Sequence, residues 1–537
     1  MLRTQLYADP QGRFVHDVVL ESCLKNAGKT ALVDTSCERR ITFSEYGSLV
    51  ESLARGLISA GLAPGEVVAI FLPNSWEFAV TYHAATLAGG IPTLLNPSYR
   101  EREIRYQLEN SGAVFLITDA PLIENVDLAG LPALRRVFTT RSSSRLGGCE
   151  DFASLLRTSS SVSFPKPAQS PQQTIAALPY SSGTTGLPKG VMLSHYNLVA
   201  NVYQTLGPNA TTLVPDDVML CFLPLYHIYG LTVALTLSLS LGSTLILMPR
   251  FDVQKLCALL VREGVTMIPV VPPAINAMCQ AAEAGIFPRN HKVRWVKSGA
   301  APLAPELARR FTNLTGIVVV QGYGMTEASP VTHVGYTSPP EMYRPASIGQ
   351  PLALTECRIV EPENNDPERK NDQERKEVAP GEPGELVMRG PQIMLGYWKE
   401  PQATAAVLRD AWYFSGDIVR RDEEGFYYVL DRSKEMIKYK AFPVAPAEVE
   451  SVLLEHPAVR DCGVVAKPDP EAGEIPCAFI VLREGFTPSD PLKKEMQDFV
   501  ADRLAHHKQP REIRFIEALP RTLSGKILRR ELRKILS

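Results

Sequence analysis

The stretch Tyr180-Ser181-Ser182-Gly183-Thr184-Thr185-Gly186-Leu187-Pro188-Lys189-Gly190 concentrates groups that bind a polyanion. Its glycines let backbone approach closely, the Ser and Thr hydroxyls donate to phosphate oxygens, and Lys189 adds a compact positive charge. A plain Gly/Ser/Thr turn would not need Lys189 in that place, so the reading is a phosphate-cradling loop. It is not a Walker A loop, because G-x-x-x-x-G-K-[ST] cannot be laid on it, and the P-loop NTPase class is excluded. A second cluster is Gln321-Gly322-Tyr323-Gly324-Met325-Thr326-Glu327. An aromatic between two glycines makes a flat slot that suits an adenine-sized ring, although a mere turn reads the same way. A dinucleotide fingerprint is excluded, since Glu327 stands where the third glycine belongs. Thr326 can donate to a phosphate, and Glu327 is a hard oxygen ligand of the kind Mg²⁺ takes, or else the acid of a helix start. Asp417 either caps a turn at the end of a strand-like run or accepts from a ribose diol. On residue type alone His227 is a buried, hydrogen-bonded histidine and Lys526 a solvated lysine.

These blocks resemble the acyl-adenylate-forming superfamily, which includes acyl-CoA ligases, beetle luciferases and the adenylation domains of peptide synthetases. The resemblance rests on residues 180–190 and on four further blocks in the same order: Gln321 to Glu327, Tyr413-Phe414-Ser415-Gly416-Asp417, Asp431 through Glu450, and Pro520-Arg521-Thr522-Leu523-Ser524-Gly525-Lys526. Within the superfamily, Leu223-Pro224-Leu225-Tyr226-His227-Ile228-Tyr229-Gly230-Leu231 and Ser298-Gly299-Ala300-Ala301-Pro302-Leu303 are most similar to 4-coumarate-CoA ligases. The resemblance spans nearly the whole chain. It implies an ATP-dependent carboxylic acid-CoA ligase that converts acid and ATP to acyl-AMP and pyrophosphate, then forms a thioester with coenzyme A. The implied partners are a small-molecule acid, ATP with Mg²⁺, and coenzyme A.

By the same resemblance the nucleotide is held by Ser181, Ser182, Gly183, Thr184, Thr185, Gly186, Lys189, Gln321, Gly322, Tyr323, Gly324, Thr326, Asp417 and Arg432, with Glu327 on the metal. Lys526 bridges the attacking carboxylate and the α-phosphate, and His227 gates the acid. The acyl pocket is implied at His227, Tyr229, Val233, Ser298, Gly299, Ala300, Gly322, Pro330 and Val331. Tyr229 as a flat wall with small residues around it favours an aryl or arylpropenoic acid. For the second half-reaction the resemblance points to Lys438, Lys440 and Ala441, to the hinge at Lys434, and to Arg250 on a coenzyme A phosphate. The chain has Ala441 and Pro443 where the family usually has Gly and Gln, a departure that bears on thioester formation and not on adenylation. The alternatives are a medium-chain fatty acyl-CoA ligase, a luciferase-like or amide-forming adenylating enzyme, and a degenerate nucleotide-binding regulatory protein that is no enzyme.

The elements that must carry these groups alternate strand and helix. Val67 to Leu72, Ala113 to Thr118, Val265 to Val271, Val293 to Lys297 and Ile317 to Gln321 read as strands. Trp76 to Ala88, Pro273 to Ala284 and Leu303 to Thr315 read as helices. That rhythm predicts an α/β class with stacked, largely parallel sheets, two of them before residue 340. Arg141 to Gln173 and Glu361 to Glu382 read as surface loops. Past Asp431 the pattern becomes a compact α+β unit, with helices at Ala447 to His456, Pro491 to His506 and from Ile527. The expected division is a large adenylating domain over 1–430, a hinge at 431–434, and a small mobile C-terminal domain over 435–537 that carries Lys526.

A net charge of -2 over 537 residues gives no bulk attraction to nucleic acid, so an anionic ligand must be held by local groups. Nine cysteines without a C-x-x-C pair argue against a disulfide framework or zinc site. The apolar run Leu231 to Met248 is interrupted by Thr232, Thr236, Ser238, Ser240 and Gly242-Ser243, which predicts a buried helix then a strand and no membrane span. Met1 to Gln5 has no apolar signal core and the final residues are not Ser-Lys-Leu, so the cytoplasm is the expected location. No interface can be read, and the oligomeric state stays open.

Overall fold

The computed structural model describes residues 12–141, 148–157, 161–181, 187–207, 213–336, 340–362, 375–432, 435–439, 442–470, 472–522 and 525–536, with the backbone alone for Pro340, Arg432, Lys438, Phe442 and Pro443. Aliphatic runs such as Val67–Phe71, buried at every position, pair in parallel on both sides, which is why they show no polar alternation. The following helix, Trp76–Leu87, starts where Ser75 accepts from the Phe78 N–H.

Among the described residues the strands form four sheets. A nine-stranded sheet runs in the order Gln350–Pro351, Val331–Val334, Val318–Gly324, Trp295–Ser298, Met267–Val270, Val218–Cys221, Thr244–Leu247, Thr30–Asp34 and Arg39–Thr42. Its centre is parallel and its rims are antiparallel. An eight-stranded sheet places Gly396–Tyr397 and Lys189–Ser194 at one edge, then Ile175–Ser181, Ile91–Leu94, Val67–Phe71, Ala113–Thr118, Arg136–Thr139 and Cys149–Asp151. One continuous core joins these two sheets and the helices between them. The α/β reading with two largely parallel sheets before residue 340 is what the chain forms.

Several expectations are corrected. Arg141 to Gln173 is not all loop: Cys149–Asp151 is a strand that extends the second sheet, and Phe152–Leu156 is a helix begun by Asp151 accepting from Ala153 N–H. Its buried Phe152 and Leu155 pack into the main core, a pattern too short to register between serines and prolines. A third, antiparallel sheet was not foreseen. It is built from Glu356–Val360, Gly384–Arg389, Leu408–Arg409, Trp412–Arg421 and Tyr427–Arg432. Much of the charged stretch 361–382 lies outside the described residues. The helix expected to reach His506 stops at Ala501, and the last helix is Arg529–Leu536. The apolar run after Leu231 forms a wide π-helix, Tyr229–Thr236, a short α-helix, Leu237–Leu241, and a buried strand, Thr244–Leu247.

The fourth sheet, Phe442–Val444, Ile437–Tyr439, Gly473–Leu482, Val459–Asp469 and Glu512–Phe515, has its own cores on its two faces. Pro443 sits on its edge strand opposite Lys438, the place in a sheet where a missing N–H costs least.

Burial keeps several imidazoles neutral: it lowers His83 and His333 to about 3, His16 to about 4, and His195 well below the usual 6.5. The unfolded chain binds protons on these rings below pH 6.5 and the folded chain does not, so each withdraws about 1.4 kcal/mol of stability per pH unit. Stability is therefore expected to hold above pH 7 and to fall between pH 6.5 and 5, above the carboxylate range. Denaturant midpoints across that window check it, and a flat profile would contradict the neutral buried rings.

Candidate active site

The strands Ile175–Ser181 and Lys189–Ser194 are the two arms of the hairpin expected to cradle phosphate, with Ser181 opposite Lys189 and Tyr180 opposite Gly190. Ser182, Gly183, Thr184, Thr185 and Gly186, between the arms, lie outside the described residues. Ser181 Oγ donates to Glu327 Oε1 at 3.0 Å, and Tyr397 OH donates to the same oxygen at 2.9 Å. Lys189 Nζ stands 5.4 Å from the centre of the Tyr397 ring. The hairpin arms and Glu327, 146 residues apart, thus meet over one carboxylate.

Glu327 is buried in a single 3₁₀ turn, Thr326–Ala328, which agrees with the bland helix-start reading and with the functional one at once. The turn is closed by Met325 N–H to the Pro330 carbonyl at 3.0 Å and by Met394 N–H to the Glu327 carbonyl at 2.9 Å. It directly follows the strand Val318–Gly324, whose end carries Gln321, Gly322, Tyr323 and Gly324. Gln321 Nε2 donates to the Pro345 carbonyl at 2.7 Å, and Tyr323 is backed edge-on by His333 at 5.7 Å.

Tyr323 OH donates to Asp417 Oδ2 at 2.5 Å, which brings the proposed ring slot and the proposed diol acceptor together. Asp417 does not end its strand. The strand runs Trp412–Arg421, Asp417 pairs with the backbone of Arg432, and the register slips just beyond, between Ile418 and Val419. Gly416, at φ +69°, turns the chain there, and its N–H is taken by Glu385 Oε1 at 3.0 Å. Glu385 is itself paired with Arg375 at 2.5 Å.

Of the residues expected to line the acyl pocket, His227 accepts at its carbonyl from Leu231 N–H and has its ring 4.7 Å from that of Tyr226; burial lowers the imidazole to about 4, so it is neutral. Tyr229 begins the π-helix and donates its hydroxyl to the Lys297 carbonyl at 2.9 Å. A Cβ on Gly299 would stand 3.0 Å from the Tyr229 ring, so only glycine leaves this wall flat. Ser298 is the register partner of Gln321, and Pro330 and Val331 lead into the strand paired with Gly322 to Gly324. Val233 is buried on the same π-helix. Ala300 is exposed at φ +66°.

Lys526 stands in the turn after Gly525, and its N–H donates to Thr522 Oγ1 at 3.1 Å. A Cβ on Gly525, at φ +85°, would lie 2.9 Å from Pro273, so this turn rests on the start of the helix Pro272–Glu283. That helix leaves the carboxyl end of Met267–Val270, beside the ends that carry Ser298 and Gln321, the usual ligand edge of a parallel sheet. Arg250 is exposed, two residues before the helix-capping Asp252. Lys434, Lys440 and Ala441 lie outside the described residues, and Arg432 and Lys438 are placed by backbone only.

Three residues went unread in the sequence. Lys297 is 2% exposed, its Nζ has no hydrogen-bond partner among the described residues, and burial pushes it down to about 8. Its Cε would be 3.4 Å from a Cβ on Gly322. The signal was a lysine between Val296 and Ser298 in an apolar strand. Tyr397 and Glu385 gave no signal, because their partners are distant in sequence.

The family model described as AMP-binding enzyme matches residues 19–398, and that of the AMP-binding enzyme C-terminal domain matches 448–526. The chain belongs to the AMP-binding enzyme family. The first family match takes in the hairpin, the Glu327 turn and Tyr397, and the second ends on Lys526; Asp417 falls between them. Among relatives of this AMP-binding enzyme, 4-coumarate-CoA ligase 5 of Oryza sativa subsp. japonica is 38% identical over 97% of this chain and 94% of its own. 4-Coumarate-CoA ligase 3 of Arabidopsis thaliana is 34% identical over 97% and 91%. Among solved structures, the anthranilate CoA ligase AuaEII in complex with anthranoyl-AMP superposes with a TM-score of 0.86 at 27% identity, covering 99% of both chains. A benzoate CoA ligase from Burkholderia xenovorans LB400 gives 0.85 at 28%, covering 97% of this chain and all of that one.

A Cβ at Gly324 would overlap the Pro330 carbonyl oxygen, which is backbone and cannot step aside. Gly324→Ala is expected to destabilise the fold by about 1–3 kcal/mol and to weaken ATP binding, as read by denaturant unfolding and equilibrium titration.

Proposed function

We propose that this AMP-binding enzyme is an ATP-dependent carboxylic acid-CoA ligase acting on an aryl or arylpropenoic acid that bears an oxygen substituent. The observation that carries the adenylating half is the meeting of Ser181, Lys189, Glu327, Tyr323 and Asp417, with the Lys526 turn on the same sheet edge. In this reading the hairpin and Lys189 cradle the phosphates, Tyr323 with Gly322 and Gly324 takes the adenine, and Asp417 and Arg432 hold the ribose. Glu327 would hold Mg²⁺, which when bound shields the phosphate charge. No cluster of three His, Cys, Asp or Glu stands among the described residues, and that suits a cation shared between one carboxylate and the substrate's phosphates.

The carboxylate oxygen attacks the α-phosphorus, pyrophosphate leaves, and an acyl-AMP with a good leaving group remains. The two reacting anions repel by about 4 kcal/mol per unit-charge pair at roughly 4 Å in a partly shielded site, so a cation between them lowers the barrier. Lys526 supplies it, and Thr326 donates to the α-phosphate. A neutral His227 can line the acid's path without pairing with its carboxylate. Rotation of 435–537 about a hinge at 431–434, centred on Lys434, then brings Lys438, Lys440 and Ala441 to the site for thiol attack, with Arg250 on a coenzyme A phosphate.

Lys297 favours the oxygen-bearing aryl acid over a medium-chain fatty acid. An unpartnered ammonium next to Gly322 gains nothing from an alkyl tail and gains a charge-assisted hydrogen bond from a ring oxygen. A cytoplasmic location fits nine free thiols and the finding that no helix among the described residues is long and apolar enough to cross a membrane.

Pyrophosphate exchange with a panel of acids, followed by thioester detection with coenzyme A, tests both halves. Turnover to a non-thioester product regardless of thiol would favour an amide-forming enzyme. Lys526→Ala is expected to slow exchange by about 10²- to 10³-fold. Lys297→Met should lower kcat/KM for a ring-hydroxylated arylpropenoic acid about 10-fold relative to its unsubstituted parent. An unchanged ratio would remove the substituent from the proposal.

A further inference from the structure

A strap of chain, residues 393–398, crosses from the Glu327 turn to the phosphate hairpin. Met394 N–H bonds the Glu327 carbonyl, Leu395 N–H the Met192 carbonyl and Trp398 N–H the Gly190 carbonyl, at 2.8 to 2.9 Å. Tyr397, near its end, pairs in register with Val191 and is 9% exposed. Its N–H is fixed by Thr404 Oγ1 at 2.8 Å, so the backbone beneath the ring is anchored on a separate helix, Pro401–Val407.

The side chain touches both charged groups of the phosphate site. The hydroxyl donates to Glu327 Oε1, as Ser181 Oγ does, while Oε2 has no hydrogen bond among the described residues. The ring face lies beneath Lys189 Nζ at 5.4 Å, within cation–π range. A tyrosine that merely filled space would serve one of these contacts by chance and not a cation and an anion together.

We propose that Tyr397 is a positioning residue for the metal–nucleotide complex: its hydroxyl turns the Glu327 carboxylate so that Oε2 is left for the divalent cation, and its ring holds Lys189 toward the phosphates. This rests on the reading of Glu327 and Lys189 given above. The two contacts separate by substitution, because Tyr397→Phe removes only the hydroxyl and Tyr397→Leu removes the ring as well. Donors that orient a metal ligand are typically worth about 10- to 100-fold in metal affinity.

The test is equilibrium binding of ATP to the full chain without acid, in excess Mg²⁺ and in chelator. Tyr397→Phe is expected to weaken Mg²⁺-ATP binding about 10-fold and to leave metal-free ATP unchanged. Tyr397→Leu is expected to weaken both. Should the leucine variant fail to fold, the phenylalanine variant still decides, with its thermal midpoint as control. Wild-type Mg²⁺ dependence in Tyr397→Phe, or equal losses with and without Mg²⁺, would overturn the proposal. Glu327→Gln separates the two levels. If it abolishes the Mg²⁺ dependence while Tyr397→Phe does not, this inference alone fails; if Glu327→Gln leaves the dependence intact, the reading of Glu327 fails with it.

Discussion

A buried carboxylate has to be hydrogen-bonded, and at Glu327 the donors that do this come from a different sheet from the one that carries the acid. Ser181 arrives on the second sheet, Tyr397 on the strap at that sheet's edge, and Glu327 itself on a turn that continues the first sheet. The acid therefore works as a polar joint between two sheets that share one apolar core. Moving either sheet would strand a charge away from water, so the spacing between hairpin and ring slot is set by electrostatics as much as by packing.

The same economy appears at Asp417. Its carboxylate is tied to Tyr323, its backbone to Ser415, and the glycine before it to Glu385, which Arg375 neutralises. The contacts run from the ring slot on the first sheet, through Asp417 and Gly416, to Glu385 on a neighbouring strand of the third sheet and on to Arg375 outside it.

Motif blocks were legible because they are local: 180–190, 321–327 and 520–526 each carry their chemistry within a few residues. Parallel strands were legible because burial on both faces leaves an unbroken apolar run. What escaped was of three kinds. Cys149–Asp151 and Phe152–Leu156 are too short for periodicity to show. The antiparallel third sheet is assembled from strands whose partners are set by long-range register. Lys297, Tyr397 and Glu385 owe their importance to neighbours that sequence distance hides. Asp417 marks a further limit: a glycine at positive φ within a strand looks like the strand's end, when it is a bulge inside it.

The outermost strand of the small sheet, Phe442–Val444, has a prolyl residue at its centre. Exposed strand margins are templates on which stray chains polymerise, and a residue that cannot donate interrupts the ladder such growth needs. The substitution that looked like a loss to thioester chemistry thus also makes this margin a poor seed for amyloid-like stacking.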